Sequence, residues 1–182
     1  DNLAIGYDAL GGSIAGGEFN VAIGNYSLDA NTSGDYNVGV GYQTLSSNTT
    51  GATNTAVGYN ALTSNTTGSN NTASGVSALA NTTTGQENTA TGALVLAVNS
   101  TGGYNTGSGG SSLFSNTTGN YNTASGARAL MNNTTGSSNA AFGFNSLLSN
   151  TTGARNLAIG YQAYDGADTE NDNLAIGYDA LG

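Results

Sequence analysis

Four acids at short, near-alternating spacing, Asp165, Asp168, Glu170 and Asp172, mark the most acidic stretch of the chain, Asp165-Gly166-Ala167-Asp168-Thr169-Glu170-Asn171-Asp172. Ca²⁺ takes six to eight oxygen ligands, so the stretch is a candidate calcium site; it lacks the EF-hand pattern and reads also as a solvated corner. Asn31, Asn48, Asn65, Asn81, Asn99, Asn116, Asn133 and Asn150 each open an N-x-S/T sequon, and Asn48, Asn65, Asn116, Asn133 and Asn150 stand in the phrase N-T-T-G. In a secreted protein such a sequon accepts a glycan at an exposed loop, whereas N-T-T-G is otherwise simply a good turn. Tyr7, Tyr42, Tyr59, Tyr161 and Tyr178, with Phe144 in line, recur at one place of a repeat. They form either an aromatic strip for glycan or surface binding or the packing at a chain interface.

Other chemistry lacks its residues. The 182 residues contain no His, Cys, Pro, Trp or Lys, which removes disulfides, thiolate and imidazole metal sites, and every Ser-His or Cys-His nucleophile. Glu18 and Asp35 lie about one coil apart and are the acids best placed to approach as a pair, but a raised corner accounts for them more simply than carboxylate-pair chemistry. The expected protein is not an enzyme and needs no cofactor, calcium apart. A formal charge of -9 with only Arg128 and Arg155 as cations argues against nucleic acid, and no apolar run reaches the roughly 20 residues that span a bilayer.

What positions these side chains is an internal repeat. Units begin at residues 2, 20, 37, 54, 71, 88, 105, 122, 139, 156 and 173, seventeen residues apart except for the first step of eighteen. The consensus is N-T-A-(I/V/S/T)-G-Y-x-A-L-x-x-N-T-T-G-x-x, with Gly at the fifth place of every copy and Leu at the ninth of all but one, where Tyr164 stands. Seventeen residues are too few for a two-helix repeat, and Gly, Asn and Thr disfavour helix, so each unit reads as one coil of an all-β, parallel β-solenoid, about eleven coils in a single domain over residues 1–182. Within a coil the sequence predicts two short strands, at places two to six and seven to ten, closed by the N-T-T-G corner.

The expected core is places four and nine, for example Val57 with Leu62. The Ala or Gly column at place three, Ala4 through Ala175, is expected to pack against another chain. The Asn column at place one is expected to be a ladder of stacked amides. An ice-binding face would need a flat T-x-T strand array, whereas Thr49 and Thr50, adjacent in a turn, point different ways.

The phrase N-x-A-I-G, at Asn2–Gly6, Asn20–Gly24, Asn156–Gly160 and Asn173–Gly177, resembles the head repeat of YadA-like trimeric autotransporter adhesins. N-T-A-x-G-Y-x-A-L…N-T-T-G arrays are similar to those of long bacterial surface proteins and of phage tail-fibre proteins that end in a self-cleaving chaperone domain. The resemblance implies a left-handed β-roll, three chains side by side, on a cell surface or a virion.

A second period lies above the first, because Asp1–Gly11 and Asp172–Gly182 both read DNLAIGYDALG. The offset is ten units plus one residue, so residues 1–171 read as one super-repeat of a longer tandem array. The expected function is a structural or adhesive extracellular fibre or adhesin shaft. Its partners are copies of itself, as a trimer or filament, and host or surface glycans. A phage tail-fibre shaft and an ice- or glycan-binding solenoid are the alternatives.

Overall fold

A computed structural model describes residues 1–12, 17–166 and 169–182. Each coil contributes one strand of three residues: β1 Leu3–Ile5, β2 Val21–Ile23, β3 Val38–Val40, β4 Thr55–Val57, β5 Thr72–Ser74, β6 Thr89–Thr91, β7 Thr106–Ser108, β8 Thr123–Ser125, β9 Ala140–Phe142, β10 Leu157–Ile159 and β11 Leu174–Ile176. They form one parallel sheet in sequence order. Place stands over place throughout, as in Thr55↔Thr72, Ala56↔Ala73 and Val57↔Ser74. The parallel β-solenoid read from the 17-residue period is therefore the fold.

The second strand expected in each coil does not form. Gly at place five, such as Gly58 with φ +130, turns the chain out of the strand, and places seven and nine follow in the left-handed region, as at Asn60 (φ +55) and Leu62 (φ +51). Hydrogen bonds still cross between coils here. The amides of Gly58 and Asn60 donate backward to the carbonyls of Val40 and Tyr42, and that of Leu62 donates forward to Ala78.

The core differs from the expected one at one place. Leu at place nine is buried as predicted, at 0% exposure from Leu28 through Leu147, but its companion is the Ala of place three and not place four. Ala22, Ala56, Ala73, Ala90, Ala124, Ala141 and Ala158 are fully enclosed, while Ile5, Val57, Ile159 and Ile176 at place four face outward. Alternation along a strand assigns places two and four to one side and three to the other without saying which side is inner. The depth of the coil decides it. The Leu column of the opposite wall fills most of the interior, and only a methyl group fits beneath the strand. The small-residue column is thus core and is not free to pack another chain.

Two Asn ladders complete the interior. At place one, Asn54 donates its backbone N–H and its Nδ2 to the Asn37 Oδ1 (3.0 and 3.1 Å), and its Nδ2 also to the Gly68 carbonyl (2.9 Å). At place twelve, Asn65 donates to the Asn48 Oδ1 (2.7 Å) and to the same Gly68 carbonyl (2.9 Å). Both ladders therefore converge on the glycine of place fifteen. Between two stacked coils a side chain there has no room, as a Cβ on Gly85 would lie 2.5 Å from the Gly102 carbonyl oxygen; the one departure is Glu170, in the last coil to reach this place. Repetition satisfies most of this polar interior, as buried amides require; the Asn65 Oδ1, where the second ladder is interrupted by Thr82, is left without a partner.

Candidate functional site

Two surfaces and one buried ladder carry the residues singled out in the sequence. At the acidic stretch, Asp172 accepts two hydrogen bonds from Arg155, Nε to Oδ1 at 2.6 Å and Nη2 to Oδ2 at 2.8 Å, both side chains being exposed. The guanidinium holds the Asp172 carboxyl below its ordinary range, and the carboxylate raises Arg155 in turn. Asp165 accepts from the Gln162 Nε2 at 3.2 Å, and the Glu170 Oε2 accepts from the Thr169 amide at 3.3 Å. Asp168 lies outside the described residues. Among the described residues no three acids gather as a metal-binding group. The Glu18–Asp35 pair is explained by a backbone contact, because the Asp35 carboxylate accepts the Glu18 amide at 2.8 Å.

The sequon asparagines Asn48, Asn65, Asn116, Asn133 and Asn150 are the second ladder, 0 to 1% exposed. Each spends both Nδ2 hydrogens, one on the preceding Asn and one on its own Gly carbonyl, as Asn116 does to Asn99 (2.9 Å) and Gly119 (3.0 Å). A glycan replaces one of those hydrogens and needs open space beside it, so these amides are not glycan acceptors in the folded coil. Asn81 is the exception in register: Thr82 takes the buried ladder place and Asn81 is exposed, donating to the Ala97 carbonyl at 2.8 Å.

The tyrosines at place six do line one exposed column. Tyr42 and Tyr59 stack at 5.5 Å, Phe144 and Tyr161 at 5.4 Å, and Tyr161 and Tyr178 at 5.3 Å, so rings of neighbouring coils lie face to face while all of them stay exposed. Tyr7 joins the column through Tyr26, which meets both Tyr7 and Tyr42 edge-on. A second column stands at the last place of the coil, where Phe19 stacks on Tyr36 and Tyr104 on Tyr121. Glu87, below Tyr104, raises that phenol's pKa through its negative charge. Sequence reasoning passed over this second column, although its aromatics recur at the period.

A third surface is the outward side of the sheet, formed by place two, which the sequence left unassigned, and place four, which it assigned to the core. It carries Leu3, Ile5, Val21, Ile23, Val38, Val40 and Val57 at one end and Phe142, Leu157, Ile159, Leu174 and Ile176 at the other. Between them, in β5 to β8, lie Thr72, Ser74, Thr89, Thr91, Thr106, Ser108, Thr123 and Ser125. None of the twenty-two positions is charged, and that was the legible signal. Apolar members are exposed in internal coils too, Val57 at 41%, Phe142 at 39% and Ile159 at 39%. No helix among the described residues is long and apolar enough to cross a membrane. No family model matches the sequence, and no curated protein or solved structure is similar to it.

Proposed function

We propose that the chain is a shaft segment of an extracellular structural or adhesive fibre, on a cell surface or a virion, and that its partners are copies of itself lying side by side. The observation that supports this is the uncharged outward side of the sheet, with aliphatic side chains exposed over its first and last coils. Contiguous exposed apolar surface of this kind marks an interaction site. Stacked at about 4.8 Å per coil, the sheet is roughly 50 Å long, enough for an extended interface. Copies aligned in parallel register would lay aliphatic coils on aliphatic coils and hydroxyl coils on hydroxyl coils. The repeated DNLAIGYDALG adds growth in series, since the same eleven residues recur and Leu10 and Leu181 share one left-handed backbone (φ +51 and +56).

Analytical ultracentrifugation over a concentration series tests the reading. Association is expected, with Ile159→Lys combined with Ile176→Lys abolishing it while the circular dichroism is unchanged. A wild-type chain that stays folded and monomeric at every concentration would sink the proposal.

A second reading rests on β5 to β8 alone. Their Thr at place two and Thr or Ser at place four stand in register on one side of the sheet, unlike the residues of the N-T-T-G corners, and supply the T-x-T/S pattern of an ice-binding face. The hydroxyls of Thr49 and Thr66 are instead spent on the carbonyls of Thr66 and Thr83. Thermal hysteresis in the wild type, lost on Thr89→Tyr, is the expected result of that reading; no hysteresis in the wild type would remove it.

A further inference from the structure

Six of the ten tyrosines are laid ring on ring by the coil register. Tyr42 and Tyr59 have centroids 5.5 Å apart and planes 9° apart, Tyr104 and Tyr121 4.9 Å and 14°, and Tyr161 and Tyr178 5.3 Å and 5°. All six are exposed, from 40% at Tyr42 and Tyr104 to 78% at Tyr178. Tyr26 meets its neighbours edge-on, and Tyr36 stacks on a phenylalanine that cannot form a phenoxyl radical.

We propose that these three stacked pairs are sites of oxidative tyrosine coupling, which joins neighbouring coils covalently in a chain that has neither Cys nor Lys for cross-linking. The oxidant is a peroxidase using hydrogen peroxide. It removes one electron and one proton from each phenol, and the two phenoxyl radicals form a carbon–carbon bond through their ortho carbons. The hydrogen on each joined carbon then moves to oxygen and restores the phenol. Two electrons and two protons leave each pair and reduce one hydrogen peroxide to two waters. Partners seventeen residues apart close a loop of one coil, so the bond withdraws conformational freedom from the unfolded chain and raises the melting temperature.

The native chain, dilute enough to favour coupling within one molecule, is treated with a peroxidase and hydrogen peroxide, digested, and analysed by mass spectrometry. Expected are dityrosine fluorescence and linked peptides joining 42 to 59, 104 to 121 and 161 to 178, each lighter by two hydrogens. Tyr59→Phe loses only the 42–59 product, and Tyr36→Phe loses none. In denaturant, where the register is gone, the products scatter over many pairs. A folded chain that yields no dityrosine, or the same scattered set as the unfolded chain, overturns the proposal.

Discussion

Leu at the ninth place is chosen by its backbone as much as by its bulk. From Leu10 to Leu181 the residues of this place, Tyr164 included, sit at φ between +50 and +56. A branched Cβ is strongly disfavoured there, and no Val, Ile or Thr occurs at place seven or nine of any coil. Leu62→Ile keeps the volume, a swap that ordinarily costs under about 1.5 kcal/mol, yet it is expected to lose about 2–3 kcal/mol because left-handed strain adds to it. Leu62→Met should stay under about 1.5 kcal/mol, and equal losses in urea unfolding would refute the backbone argument. Thr82 is the converse case. It interrupts the second Asn ladder, leaving the buried Asn65 Oδ1 without a partner and giving Asn99 only a 3.4 Å contact. Asn132-Asn133 shows that two asparagines fit at this corner, so Thr82→Asn should stabilise the chain by about 1–2 kcal/mol, read as a higher melting temperature. The Asp172 carboxyl, held below its ordinary 3.8 by Arg155, contributes stability that is complete above that pH and fades as pH falls through the lowered value. Both partners are exposed, so the effect is small. Melting curves of wild type and Asp172→Asn should differ near neutral pH and converge in acid; a constant gap down to the lowest pH would contradict the pairing.

Strand and turn are matched in pairs of coils. Place three is Gly only at Gly39 and Gly107, and those are where place eight grows in two successive coils, Ser27 with Thr44 at the first and Val95 with Ser112 at the second, whereas Ser146, enlarged alone, stands with Ala141. A Cβ on Gly107 would collide with the Val95 Cγ1. Gly107→Ala alone is therefore expected to cost about 1–3 kcal/mol by overpacking. With Val95→Ala added, much of that loss should return, and a double-mutant cycle with no coupling would exclude this fit. The period, the glycine ladder and the role of the first Asn column were legible in the sequence because each is a repeated residue with one physical use. The inner and outer sides of the strand were not, since Ala in a column suits both a thin core and a tight contact. The missing second strand was hidden for a similar reason: left-handed backbone at Leu leaves only the absence of β-branched neighbours as its trace. The burial of the Asn of N-T-T-G was not legible because a turn signal and a buried amide ladder use the same letters.

As a whole the molecule is a stack in which each coil touches only the one before and the one after, and its stability is a sum over such contacts. Charge fits that plan. Aspartate and glutamate sit mainly in the first two coils and the last two, while the middle is nearly neutral, so few like charges stand over one another. The same plan sets how the rod would answer to tension. Between neighbouring coils the fold spans only about 4.8 Å of axis, although seventeen residues of chain, drawn out at roughly 3.3–3.6 Å each, reach nearly 60 Å. Opening one coil would therefore add about as much length as the entire folded rod, and a fibre built this way could yield to a sudden pull by sacrificing a single turn.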